Sequence, residues 1–292
     1  MKRILLFLMV LLILFIVIDQ SPIKEGSIKP RHMTEIDAAL QTEGDINKFN
    51  QVEDSCVSDE EVLTGSKSDW VLLWSDEFNS DCLDMEKWNM EDWAALKNNE
   101  LQYYSPNNVQ VEDGVLKLVS RKEQYRGKSY TSGAIHTKDK FEFSHGKVEM
   151  RAKLPAGQGL FPAFWMMTNK EKTWLPEIDI MEMLGHKTNE IWMVVHWLNE
   201  EGELTSDSSS FTGPDYSKDF HTFSIEWTSG SITWFIDGIA RYSTDAYVPR
   251  ENMYLYLNTA IGGNWPGSPD QTTEFPAVFE IDYVRVYKNR GE

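Results

Sequence analysis

Apolar and polar residues alternate with a period of two over much of the chain from residue 70 onward. Val148, Met150 and Ala152 are separated by charged residues, and Phe223 and Ile225 by a serine. Successive side chains of a β-strand point to opposite faces of a sheet, so this pattern predicts half-buried strands. Further strands are predicted at residues 115–121, 134–137, 191–197, 232–236 and 254–261, and Asp237-Gly238 predicts a hairpin turn.

The fold class follows from the number of these strands and from the residues between them. No long stretch has a sustained period of 3.6, and Gly, Asn, Asp and Pro interrupt the chain often. Many short strands separated by turns are typical of antiparallel proteins with two sheets. The sequence therefore predicts an all-β domain over residues 69–292, an antiparallel sandwich of two sheets.

The N-terminal 18 residues have the composition of a targeting segment. Lys2 and Arg3 precede an apolar run over residues 4–18. That run is long for a signal-peptide core and shorter than the roughly 20 residues of a membrane-spanning helix. We therefore expect residues 1–18 to be a signal peptide, or an N-terminal membrane anchor if they are retained, and the protein to be secreted or extracellular.

Residues 19–68 are rich in acidic and other polar side chains and contain one aromatic residue, Phe49, whereas all 11 tryptophans lie at residue 70 or beyond. Such a segment buries too little apolar surface to offset its ordering entropy, which predicts an acidic, disordered linker. The two cysteines, Cys56 and Cys82, either form a disulfide that ties the linker to the domain or remain as two free thiols.

The net charge of −18 restricts the class of partner. Nucleic acids and anionic membrane surfaces attract positive charge, so an acidic chain disfavours both. The charge does not speak against a neutral polysaccharide as partner, and we expect the protein to be a monomer.

Three acids fall within six residues of an otherwise apolar segment, at Glu177, Asp179 and Glu182. Glu177 and Asp179 share one face of a strand, whereas strict alternation puts Glu182 on the other face. One extra residue, a β-bulge around Ile180 and Met181, returns Glu182 to the same face. The segment therefore predicts three carboxylates in a row, with a calcium site and a solvated strand face as the alternatives.

Such a row of acids has the groups needed for glycoside hydrolysis with retention of configuration. That reaction uses one carboxylate as nucleophile and a second carboxyl group as acid and then base, about 5–5.5 Å away. Closely spaced acids push their pKa values apart, so that one can be protonated while another is ionised.

The acidic segment closely resembles the catalytic strand of the family-16 glycoside hydrolases, in the laminarinase-type branch. Further segments resemble that family in the same order: residues 76–79 (DEFN), 98–104 (NNELQYY), 146–155 (GKVEMRAKLP), 159–165 (GLFPAFW), 221–227 (HTFSIEW), 262–267 (GGNWPG) and 282–287 (DYVRVY). The resemblance implies a β-jelly roll with a concave substrate cleft. It also implies that Glu177 is the nucleophile, Glu182 the acid/base, and Asp179 the residue that tunes their protonation.

The activity implied by the resemblance is an endo-1,3-β-glucanase that cleaves laminarin-like β-glucans. The alternatives are a hydrolase of mixed-linkage β-1,3-1,4-glucan or of an algal galactan, and a non-catalytic β-glucan-binding protein on the same fold. No cofactor is expected for catalysis. The family often has a structural Ca²⁺, for which Asp282 matches the acidic ligand, with an exposed strand acid as the alternative.

Aromatic residues make up 12% of the chain, and flat aromatic rings suit the apolar faces of sugars. Most of them are expected in the core. Trp174 and Trp265 are exceptions because both lie in loop-like sequence. The residues that we predict to contact substrate, partly from the resemblance, are Trp174, Trp265, His196, Asn99, Asn258, Trp165 and Trp192.

Overall fold

The computed structural model describes residues 69–171 and 173–291. These residues form β-strands and one 3-10 helix, without an α-helix. The strands are β1 (Trp70–Asp76), β2 (Asn89–Met90), β3 (Trp93–Ala94), β4 (Gln102–Tyr104), β5 (Val109–Glu112), β6 (Val115–Ser120), β7 (Tyr130–Ser132), β8 (Ala134–His136), β9 (Gly146–Lys153), β10 (Leu160–Thr168), β11 (Glu177–Glu182), β12 (Glu190–Leu198), β13 (Leu204–Thr212), β14 (His221–Trp227), β15 (Ile232–Ile236), β16 (Ile239–Thr244), β17 (Met253–Ile261) and β18 (Ala277–Asn289); the helix is Pro106–Asn108.

Two large antiparallel sheets confirm the predicted sandwich. The eight-stranded sheet has the order β16-β15-β14-β9-β18-β6-β5, with β1 also paired to β18. The seven-stranded sheet has the order β13-β12-β11-β10-β17-β8-β2, so the strand that carries the three acids lies near its centre. A small third sheet joins β3, β4 and β7.

The main core lies between the two large sheets. β9 shows the predicted alternation, since Val148, Met150 and Ala152 are fully buried between half-buried charged residues. Ile178 and Met181 of β11 belong to the same core cluster. The side chains of β11 that face away from this core point to what we call the outer face of the seven-stranded sheet, and the acids lie there.

The β15–β16 hairpin follows the sequence prediction at its turn. Asp237 and Gly238 have φ angles of 52° and 72°. Positive φ at both central residues characterises a tight turn that matches the twist of the paired strands. The two strands next to this turn bring Trp234 into the core, where its side chain is fully buried.

The predicted signal peptide or anchor, the linker and Cys56 lie outside the described residues. Cys82 is disulfide-bonded rather than free. No helix among the described residues is long and apolar enough to cross a membrane.

Candidate active site

A β-bulge in β11 places the three acids together, as predicted. On the β10 side, Phe164 pairs with Met181 and Trp165 pairs with Asp179, so Ile180 is the extra residue. The same shift occurs on the β12 side, where the pairing moves from Asp179 to Glu182 across one residue fewer of the partner strand. The extra residue turns Glu182 back to the outer face.

The acids are largely shielded from water, and this determines their protonation. Asp179 is 3% exposed, and the Glu177 side chain is 15% exposed. Burial raises the pKa of Glu177 well above its usual range, and the neighbouring charges of Asp179 and Glu182 raise it further. Burial and the charge of Asp179 raise the pKa of Glu182 in the same direction.

His196 lies on the adjacent strand beside two of the acids. It pairs in register with Glu177 across β11 and β12. Its Nε2 is 3.3 Å from Asp179 Oδ2 and 4.0 Å from Glu177 Oε1. The structure therefore places this predicted site residue next to Glu177 and Asp179.

Asn258 is buried, and side chains of the protein use both ends of its amide. Trp165 Nε1 donates to Asn258 Oδ1 at 2.8 Å, and Asn258 Nδ2 donates to Tyr104 Oη at 2.9 Å. The Trp165 ring lies 4.8 Å from that of Tyr256. Both polar atoms of the Asn258 amide are therefore engaged by protein side chains, and its direct contact with a sugar stays a prediction.

The predicted aromatic contacts form two groups at the site. Trp265 is 38% exposed, and its ring meets that of Trp192 edge-on at 5.5 Å. Asn99 joins this group, because its Nδ2 donates to Asn264 Oδ1 at 2.6 Å beside Trp265. Trp174 belongs instead to the cluster around Tyr104, on the side of Trp165.

Sequence reasoning missed several members of this outer face. Tyr254 and Tyr256 of β17 lie on it, and Tyr256 Oη donates to Glu91 at 2.9 Å. His136 stacks on the Tyr256 ring with centroids 5.6 Å apart. The available signal was the alternation of Tyr254, Tyr256 and Asn258 with leucines, but β17 is buried on both faces and resembles a plain core strand.

Some residues of the site could also serve as ligands of a metal ion. Among the described residues, Glu177, Asp179 and His196 are a group with ligand atoms all within 4.8 Å of one another. Asp282 lies in the other sheet, where its Oδ2 accepts a hydrogen bond from Arg151 Nη1. Asp282 is thus paired with an arginine in this structure, and its role as a calcium ligand stays a prediction.

The chemistry of the site follows from its two glutamates. Both have raised pKa values and flank a buried aspartate, so one can hold a proton that the other has lost. A carboxylic acid that protonates a leaving oxygen and a carboxylate that attacks carbon are the two groups that such a pair supplies. The aromatic groups on either side suit a ligand with flat apolar faces.

Comparisons with known proteins agree with this chemistry. The family model described as "Glycosyl hydrolases family 16" matches residues 97–285. A second model, "Beta-glucan synthesis-associated protein SKN1/KRE6/Sbg1", matches residues 1–174.

Individual relatives include glucanases and a laminarinase of known structure. A beta-glucanase of Rhodothermus marinus is 36% identical over 78% of this chain and 90% of its own. Glucan endo-1,3-beta-glucosidase A1 of Niallia circulans is 33% identical over 80% of this chain, which spans only 41% of that protein. The crystal structure of the laminarinase catalytic domain from Thermotoga maritima matches with a TM-score of 0.71 and 39% identity, over 76% of this chain and 99% of that one.

Proposed function

We propose, from the premise that the chain belongs to glycosyl hydrolase family 16, that it is an exported, endo-acting enzyme that hydrolyses internal β-1,3-glucosidic bonds of laminarin-like β-glucans. The observation that carries this proposal is the bulge in β11, which gathers Glu177, Asp179 and Glu182 on one face. A protein that only binds glucan has no need of one buried and two half-buried acids side by side, because unpaired carboxylates are costly to bury.

The proposed mechanism is a double displacement with net retention. Glu177 attacks the anomeric carbon while Glu182 gives its proton to the leaving oxygen, which forms a glycosyl-enzyme intermediate. Glu182, now ionised, removes a proton from water, and that water releases the sugar from Glu177. Burial and the charge of Asp179 raise the pKa of Glu182, so it can retain a proton nearer to neutral pH; the pKa of Glu177 is raised too, and the division of roles between the two rests on the family resemblance.

Asp179 supports this cycle through its charge. It lies between the two glutamates along the strand, and its charge raises the pKa of both. When Glu182 loses its proton in the first step, the negative charge of Asp179 favours its return. His196 Nε2 lies 3.3 Å from Asp179 Oδ2, on the adjacent strand.

The remaining site residues are proposed to bind the sugar chain on the two sides of the acids. Trp265, Trp192 and Asn99 form one group, and Trp165 and Trp174 form the other. An endo-acting enzyme needs subsites on both sides of the bond that it cleaves, and two separate aromatic groups supply them.

Export through residues 1–18 and a monomeric state belong to the same proposal. Mass spectrometry of the protein isolated from its native host tests export, because it shows whether the N-terminal segment has been removed.

The experiment that tests the function is a product profile of the purified protein on laminarin, lichenan and agarose. Short β-1,3-linked oligosaccharides released from laminarin, with a rapid fall in polymer length, support the proposal. Faster release from lichenan indicates mixed-linkage glucan as the substrate, and faster release from agarose indicates a galactan. Glucan binding without products, in the wild type as in Glu177→Gln, overturns the enzymatic proposal.

A further inference from the structure

The catalytic strand makes a hydrogen bond across the core of the sandwich. Trp234 Nε1, on β15 of the eight-stranded sheet, donates to the backbone carbonyl of Asp179 on β11 at 2.9 Å. The Trp234 side chain is fully buried, and Asp179 is 3% exposed. The bond therefore joins the two sheets at a place that bulk water does not reach.

The direction of this carbonyl is a consequence of the bulge. In a regular antiparallel strand, a carbonyl points along the sheet and pairs with a neighbouring strand. Asp179 is the last residue before the register shift on both sides of β11. A bulge disrupts the ladder at this point, and the Asp179 carbonyl here accepts from an indole of the opposite sheet.

The same peptide carries the side chains on which the reaction depends. The Asp179 carboxylate and the Asp179 carbonyl share one residue, and Glu182 follows three residues later beyond the bulge. A bond that fixes the carbonyl on the core side therefore fixes the carboxylates on the outer side. A bulge without such a partner has a buried, unsatisfied carbonyl, which favours a return to regular pairing and a shift of register.

We propose that Trp234 is a positioning residue for catalysis, and that its indole N–H holds the bulge in the register that places Asp179 and Glu182 on the outer face. Trp234 touches neither the sugar nor the reacting atoms, and acts through the backbone of β11. This role rests on the proposed hydrolase function, since it concerns the same three acids.

The chain offers a closely matched control in Trp227. It lies on β14 of the same sheet, is fully buried, and donates its Nε1 to the Pro249 carbonyl at 3.1 Å. Trp227→Phe and Trp234→Phe each remove one buried N–H and a similar volume from the same core. They differ in the carbonyl that loses its donor, which belongs to a loop residue in one case and to the catalytic bulge in the other.

The experiment compares kcat, KM and the pH profile of the wild type and the two variants on laminarin. Trp234→Phe is expected to lower kcat about 100-fold, the effect of a misplacement of about 1 Å, with KM within about 2-fold. The basic limb of its pH profile is expected to shift to lower pH, because a displaced Asp179 charge no longer raises the pKa of Glu182. Trp227→Phe should match the wild type in kcat and in both limbs of the profile.

Equal kcat values and equal pH profiles for the two variants overturn the positioning role. If Trp234→Phe does not fold, 3-benzothienylalanine at position 234 replaces the N–H by sulfur at nearly the same volume, with position 227 again as the control. A wild type without turnover on any glucan overturns the proposed function together with this role, whereas an active wild type with equal variants overturns the role of Trp234 alone.

Discussion

His196 approaches the most buried acid of the site, with its Nε2 3.3 Å from Asp179 Oδ2. Within the described part of the chain no hydrogen bond to that oxygen is formed, so His196 lies close to the carboxylate without donating to it. The most buried acid of the site therefore has an oxygen without a hydrogen bond beside an imidazole nitrogen.

The two glutamates are expected to be separately essential. Glu177→Gln and Glu182→Gln should each lower kcat on laminarin by several orders of magnitude, because each change removes one chemical role and little volume. General acid–base help alone is worth roughly 10²–10⁴-fold. Glu226→Gln, on the eight-stranded sheet, is the control and should leave kcat unchanged. More than about a tenth of wild-type turnover in either site variant contradicts the assignment.

Azide is expected to distinguish the nucleophile from the acid/base. In Glu177→Ala, a small anion can attack from the vacated side while Glu182 still donates its proton, which gives a product of inverted configuration. In Glu182→Ala, azide should instead give the retained configuration, and mainly from activated substrates. NMR of the glycosyl azide identifies the anomer, and the opposite pattern exchanges the two roles.

The raised pKa values also predict a dependence of stability on pH. A group with a folded-state pKa above its unfolded value stabilises the fold below the unfolded pKa, and this stabilisation is lost as pH rises through the folded pKa. Burial and like charge raise the pKa of Glu182 in this way. Glu182→Gln should therefore have a Tm above the wild type by a few degrees at pH 8, and this gain should disappear near pH 4. A gain that is equal at both values contradicts the raised pKa.

The sequence predicted the catalytic strand well because the conflict was local. Strict alternation cannot put all three acids of this apolar segment on one face of the strand, and the bulge at Ile180 does so within six residues. The outer face of β17 was not predicted, because Tyr254 and Tyr256 stand among apolar residues, and alternation does not separate two buried faces. No sequence pattern indicated the contact between Trp234 and β11, since the partner of Trp234 is a backbone carbonyl 55 positions away.

The predicted domain boundary leads to a truncation experiment. Residues 69–292 contain both large sheets and every tryptophan, so this part should be soluble, active and cooperatively folded. Its Tm should differ only slightly from that of residues 19–292. Because Cys82 is disulfide-bonded, Cys82→Ser in the longer protein is the control that separates loss of the bridge from loss of the segment. Loss of cooperative unfolding in the truncated protein alone shows that the linker contributes to the domain.

The two aromatic groups are expected to affect long substrates more than short ones. Trp174→Ala and Trp265→Ala remove rings that are placed to stack on sugars and that cannot transfer a proton. Each should cost about 1–3 kcal/mol of transition-state binding, a roughly 5- to 150-fold fall in kcat/KM on laminarin. A short activated glycoside that does not reach these rings should show little change.

Trp197→Ala is the control, because Trp197 packs against the main core and stacks on Tyr247 at 5.0 Å. It should lower Tm without this difference between substrates. If Trp174→Ala and Trp265→Ala resemble it, with a large fall in Tm and equal losses on both substrates, the two rings support the fold rather than bind sugar.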